Sequence, residues 1–96
     1  MALDAGKVPN EVVPFLSLAE RWGEPDDGDR VDRLESASTE DLRAFVDEMD
    51  SLGPKQLYDW LAGPEADSDS PSKEYVRLSA LSMAVDQAEL ILDRSS

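Results

Sequence analysis

The chain contains no cysteine and no histidine, and these two absences exclude most site chemistry. Without cysteine there is no disulfide, no thiolate nucleophile and no Cys-ligated metal, and the redox compartment is left undetermined. Without histidine the chain lacks the usual general base at neutral pH and the commonest ligand of transition metals. We therefore expect that this protein is not an enzyme and that it has no catalytic, metal-binding or cofactor-binding residues.

Positive charge is also scarce. Nine Lys and Arg stand against 22 Asp and Glu in 96 residues, which gives a net charge of −13. Lys and Arg supply most of the affinity for nucleic acids and for anionic lipid surfaces. We therefore expect no direct nucleic-acid binding and no membrane binding, whereas a basic protein would be attracted to this chain.

A long apolar run is missing as well. The most hydrophobic stretch, residues 75–92, is interrupted by Arg77, Asp86, Gln87 and Glu89, so we do not expect it to span a membrane. The start of the chain has neither the charged nor the apolar segment of a secretory signal. These features favour a cytoplasmic location.

Helical periodicity and helix stop signals predict the fold. Val12, Phe15, Ala19 and Trp22 are three or four residues apart, and Gly23, as the residue beyond the C-cap, and Pro25 would end this first helix. Similar patterns predict helices at about 28–36, from Ser38 to Gly53-Pro54, from Pro54 to Gly63-Pro64, and at about 71–93. The last helix is apolar over most of its circumference, so we expect it at the centre, with Ser70 as its cap. Asp86 and Glu89 are the acids closest to its apolar face, and we expect them on an exposed strip of the helix or paired with Arg77 or Arg94. The prediction is an all-α, compact bundle of four to five helices.

The domain organisation follows from the same patterns. Residues 1–9 are expected to be a flexible leader, and residues 10–94 a single helical domain. Residues 63–70, with Pro, Ser and acids, predict a mobile loop. The oligomeric state is open between monomer and homodimer.

The acidic stretch GEPDDGDRVDRLE, residues 23–35, resembles a calcium loop only at first sight. If Glu35 were the last ligand of an EF-hand loop, Gly28 and Asp29 would occupy each other's required positions. We expect a short helix instead, which places Val31 and Leu34 on the core. The acids at its start would interact favourably with the helix dipole.

The concentration of acids suggests where a partner would bind. Residues 24–50 hold eleven acids and three arginines, a net charge of −8. Trp22, Trp60 and Tyr75 are expected in the core, and Tyr58 on the surface. The predicted partner-binding residues are Asp26, Asp27, Asp29, Asp32, Glu35, Asp47, Glu48 and Tyr58.

Two interpretations of this acidity remain open. In the first, the chain is a non-enzymatic interaction module of inhibitor, immunity or adaptor type that docks a basic protein. In the second, the acidity reflects solubility or the composition of the host's proteins, and no dedicated acidic binding site exists.

One stretch of the chain resembles known proteins. WLAGPE at residues 60–65 and SKEY at 72–75, with LAERWG upstream, are similar to short uncharacterised bacterial proteins that share Trp-Leu-x-Gly-Pro-Glu and Ser-x-Glu-Tyr around a loop. The resemblance covers the chain from about Leu16 and implies a single helical domain of bacterial type, with no activity attached. It points to Gly63-Pro64-Glu65 and Glu74-Tyr75 as residues of a loop that covers Trp60 or binds a partner.

Overall fold

The computed structural model describes residues 4–63 and 69–95, and this part of the chain is helical without any strand. Its α-helices are α1 Leu16–Trp22, α2 Asp27–Ser36, α3 Thr39–Leu52, α4 Pro54–Leu61 and α5 Lys73–Ser95. Two short 3₁₀ turns, Ala5–Lys7 and Val13–Phe15, precede α1. The predicted all-α bundle is confirmed, with a Cα radius of gyration of 13.0 Å, close to the ~13 Å typical of a 100-residue domain.

The first apolar stripe lies in the core as its spacing predicts. Val12, Phe15, Ala19 and Trp22 are all at most 2% exposed. The helix itself is shorter than expected, because Pro14 lies in the 3₁₀ turn and α1 begins only at Leu16. The stripe therefore crosses from a tight turn into an α-helix without leaving the core.

Local signals set both ends of α3 and the start of α4. The Ser38 side chain caps α3 by accepting a hydrogen bond from the Asp41 N–H at 3.1 Å, as the sequence predicts. Gly53 has φ +81°, a left-handed conformation that glycine adopts without steric cost. Pro54 then opens α4 at a position where its missing N–H costs nothing.

Helix α5 packs against each of the other four α-helices. Leu78, Leu81, Ala84 and Ala88 are fully buried in this interface. The helix begins at Lys73, two residues later than predicted, and Ser72 rather than Ser70 accepts the hydrogen bond from the Tyr75 N–H, at 3.1 Å.

The expectation that α5 is surrounded is wrong for one side of the helix. Met83 is 44% exposed and Leu90 is 64% exposed. Asp86 and Glu89 are exposed on the same side, in agreement with the predicted exposed strip. Two acids and two large apolar side chains are therefore exposed together on this side of α5.

The aromatic residues occupy the places that the sequence suggests. Trp22 stacks on Phe45 with ring centroids 5.1 Å apart. Trp60 and Tyr75 are half-buried in a tilted contact of 5.6 Å, and the Tyr75 hydroxyl donates to the Leu61 carbonyl at 2.7 Å. Tyr58 is 42% exposed.

The start of the described chain makes specific contacts with the bundle. The Asp4 N–H donates a hydrogen bond to Glu74 Oε2 at 2.9 Å, and Val8 is buried. The flexibility predicted for residues 1–9 stays a prediction. Most of the predicted loop, residues 64–68, lies outside the described residues. In the part that the structure describes, no helix is both long enough and apolar enough to cross a membrane.

Candidate partner-binding surface

Two acids at the start of α2 make contacts within the helix itself. Asp26 is the N-cap, and its carboxylate accepts a hydrogen bond from the Asp29 N–H at 2.9 Å. Asp27 accepts from the guanidinium of Arg30 and forms an ion pair with it. Since both carboxylates are exposed but already engaged in the helix, Asp26 and Asp27 are less available to a partner than the sequence suggests.

An open cleft of about 470 Å³ lies between α1, α2 and the start of α3. It is lined by Arg21, Trp22, Glu24, Asp29, Asp32, Arg33, Ser36, Ala37 and Asp41. Two of the predicted residues, Asp29 and Asp32, thus share one depression. We call it the α1–α2–α3 cleft.

The arginines of this cleft are held by intramolecular contacts. Arg33 lies 3.3 Å from Glu24, and its guanidinium also donates to the Arg21 carbonyl at 2.8 Å. Arg21 lies 3.6 Å from Asp41 and stacks over Trp22 at 4.6 Å from the ring centroid. The exposed carboxylates of Asp29 and Asp32, by contrast, form no ion pair with the described residues.

A second depression of about 410 Å³ lies between α2 and α5. Val31 and Glu35 line it from α2, and Leu90 and Ile91 line it from α5, with Gln87, Asp93 and Arg94 completing the wall. Val31 is half-buried here, so its predicted place in the core is only partly correct, whereas Leu34 is fully buried. We call this depression the α2–α5 groove.

The remaining predicted residues lie elsewhere. Asp47 and Glu48 are exposed on α3 and line neither depression. Tyr58 is exposed on α4, where the pKa of its hydroxyl is raised above the ordinary value of 10.0, first by partial burial and then by the negative charges of Asp86, Glu89 and Asp50. The eight residues therefore form no single cluster, and the acids that raise the pKa of Tyr58 are ones that the sequence did not select.

The pKa of Tyr58 should fall when the acids that raise it are removed. Replacing two of the acids, Asp86→Asn with Glu89→Gln, should lower the pKa of Tyr58 without restoring its ordinary value, because burial is the larger cause. Ultraviolet absorbance titration, with Tyr58→Phe subtracted to isolate the signal, measures the shift. The pair Glu11→Gln with Glu40→Gln removes equal charge elsewhere, and an equal shift from that pair would contradict the local origin.

The same shift makes folding depend on pH in a defined direction. Since the pKa of Tyr58 is higher in the folded chain than in the unfolded chain, the unfolded chain loses this proton first as pH rises. The stability contribution is therefore complete below pH ~10 and is lost as pH rises through the folded pKa. The Tyr58→Phe variant should lack this part of the alkaline loss.

Two buried charged residues were missed by sequence reasoning. Arg30 is 1% exposed and Glu74 is 2% exposed. The Arg30 guanidinium donates to the Glu24 carbonyl and to Gln87 Oε1, each at 3.0 Å. A weak signal exists for Arg30, because it stands four residues before Leu34 on the same helix face.

No metal site is built by the acids: among residues 4–63 and 69–95 no three carboxylates converge as a cation would require. No family model, curated protein or solved structure matches this chain. The resemblance carried by residues 60–65 and 72–75 therefore stays a prediction.

Proposed function

We propose that this protein is a small, non-enzymatic interaction module, of inhibitor, immunity or adaptor type, that docks a basic protein through its acidic surface. One observation carries the proposal. Of the seven acids predicted to bind a partner, five have exposed carboxylates that make no ion pair or hydrogen bond in the described part of the chain: Asp29, Asp32, Glu35, Asp47 and Glu48.

These carboxylates sit on rigid elements. The first three belong to α2, whose N-terminus is capped by Asp26 and whose inner face is fixed by buried Leu34 and Arg30. The other two belong to α3, which is capped by Ser38 and anchored by buried Phe45. Charges held on fixed helices attract a basic partner at long range and keep it in one orientation, which a loosely tethered acidic tail does not achieve.

The charge balance supports the same proposal. Four of the six arginines, Arg21, Arg30, Arg33 and Arg77, form ion pairs within the molecule. The Arg21–Asp41 pair is exposed, and surface pairs of this kind contribute only about 0–1 kcal/mol to stability, whereas Arg30 is buried and its contacts belong to the core. The uncompensated charge is negative, and it favours a cationic partner.

Charge reversal tests the proposal. The pairs Asp29→Lys with Asp32→Lys on α2, and Asp47→Lys with Glu48→Lys on α3, should each slow association with a basic protein captured from the source cell and released by salt. We expect a loss of about tenfold or more at low ionic strength, since electrostatic steering raises association rates by ~10–10³. Stopped-flow or surface-plasmon measurements give the rate.

A control pair separates a docking surface from general acidity. Glu11→Lys with Asp69→Lys changes the net charge by the same amount, and both positions are exposed outside the α-helices. Equal slowing by this pair would favour the alternative, in which the acidity serves solubility or reflects the host's proteins and no dedicated site exists. The cytoplasmic location and the bacterial type stay predictions under either outcome.

A further inference from the structure

The exposed large apolar and aromatic side chains of the described chain are Tyr58, Met83 and Leu90, and all three lie on α4 and α5. Met83 and Leu90 are seven residues apart, which places them on one face of α5, about 10.5 Å from each other along its axis. Tyr58 lies on the exposed side of α4, which packs directly against α5. Single exposed apolar residues need no explanation, but a cluster does.

The α2–α5 groove continues this apolar surface. Leu90 forms part of its wall, next to half-buried Val31 and Ile91. The apolar surface thus runs from α5 to the edge of α2, and Tyr58 lies beyond the acids on its α4 side. We call the surface made by Tyr58, Met83, Leu90 and the groove the α5 outer face.

The charges at the rim of the α5 outer face determine which kind of partner can bind there. Glu35 lies at its α2 side, and Asp86 and Glu89 lie between Tyr58 and Leu90, whereas Arg94 is the cation that lines the groove. A second copy of this chain would bring these acids against one another. A helix with apolar residues on one side and Lys or Arg on the other would bury its apolar side and place its cations beside the acids.

We propose that the α5 outer face binds an amphipathic, basic helix of the partner protein. The inference rests on the proposed function and specifies where the partner's apolar side chains are bound. Leu90 and Met83 are the apolar anchors, and Tyr58 closes the surface on the α4 side. The acids at the rim fix the orientation of the bound helix.

A synthetic helical peptide with leucines on one face and lysines on the other is the probe. Fluorescence anisotropy should show binding to the full chain, and the double substitution Met83→Gln with Leu90→Gln should weaken the affinity about tenfold or more, since apolar anchors of this kind cost over ~1 kcal/mol each when removed. The matched control, Ala44→Gln with Ser51→Gln, changes two exposed positions seven residues apart on α3 and should leave the affinity unchanged. All four positions are on the surface or near it, so circular dichroism should show native folding in both variants.

Two further peptides test the chemistry of the partner. A peptide of the same composition with its leucines scattered around the helix should bind more weakly, and one with glutamate in place of lysine should not bind. Equal binding of the scattered peptide, or binding of the glutamate peptide, would overturn the inference. So would sedimentation of the free protein as a dimer that Met83→Gln with Leu90→Gln dissociates, because the occupant would then be a second copy.

Failure of this inference is distinguishable from failure of the proposed function. If the peptide binds the Met83→Gln, Leu90→Gln variant as tightly as the native chain, but binds the α2 charge-reversal pair weakly, the α5 outer face is not the site and the acidic docking function stands. If neither charge-reversal pair alters binding of the peptide or of the captured partner, the docking function itself is wrong.

Discussion

Replacing Arg30 by alanine should lower the melting temperature by roughly 12–24 °C, from a loss of about 3 kcal/mol at 4–8 °C per kcal/mol for a domain of this size. Arg30 is the largest of the fully buried side chains. Its removal leaves a cavity between α2 and α5 and deprives the Glu24 carbonyl and Gln87 Oε1 of their donors. Buried acceptors that lose a donor cost more than the hydrogen bond itself contributes.

Two companion variants identify the cause of this loss. Arg30→Met fills much of the volume without supplying donors, so its melting temperature should lie between those of the native chain and Arg30→Ala. Arg43→Ala removes the same charge from an exposed position on α3 and should change stability by less than about 0.5 kcal/mol. Thermal unfolding followed by circular dichroism measures all three. Equal losses for Arg30→Ala and Arg43→Ala would show that net charge, and not the buried network, sets the stability.

Arg30 also shows why the sequence alone could not predict part of the α2–α5 interface. Periodicity assigns apolar residues to the core, so the pattern selects Val31 and Leu34, and it finds Leu34 correctly. The guanidinium of Arg30 lies in the interior where the pattern places Val31. It is bound there by Gln87, which is 57 residues away in the chain. The hydrogen bond between Asp4 and Glu74 spans 70 residues. No local spacing encodes such partners, whereas the Ser38 cap is local, since it bonds an N–H only three residues away.

The candidate surface likewise has features that the sequence predicts and features that depend on distant packing. Net charge and the exposure of Tyr58 depend on composition and helix phase, so the sequence predicts them. The groove beside Leu90 depends on how far α2 lies from α5, which is set by the packing of Arg30 and Leu34 and not by α5 alone. The pattern of α5 therefore suggests a surrounded helix, while the structure leaves Met83 and Leu90 exposed on it.

Gly23 is the second position at which a small change should have a large effect. The sequence suggests a left-handed residue beyond the end of α1, but Gly23 is the C-cap itself with φ −89° and ψ 53°. Its backbone conformation therefore does not demand glycine. What demands it is space, because a Cβ there would lie 2.8 Å from the Ala19 carbonyl oxygen and still closer to that of Arg77 on α5.

Substituting Gly23 by alanine should consequently destabilise the fold by about 3 kcal/mol, at the upper end of the usual cost of overpacking. Both obstacles are backbone atoms, so relief requires α5 to move away from the end of α1 and the last turn of α1 to distort. That movement would strain the contacts of Arg77 with the Glu20 carbonyl at 2.9 Å and with Glu24 at 3.4 Å. Gly28→Ala in α2 is the control, since its Cβ would meet only the movable side chain of Asp26.

Comparing alanine with asparagine distinguishes a glycine that is required by close packing from one that is required by a left-handed backbone. Asparagine tolerates a left-handed conformation better than alanine, but it is larger. At Gly53, where φ is +81° and the space is open, Gly53→Asn should be less destabilising than Gly53→Ala. At Gly23 the order should reverse, with Gly23→Asn worse than Gly23→Ala, because size alone matters there. Urea midpoints of the four variants test this, and the same order at both glycines would mean that α5 does not confine the end of α1.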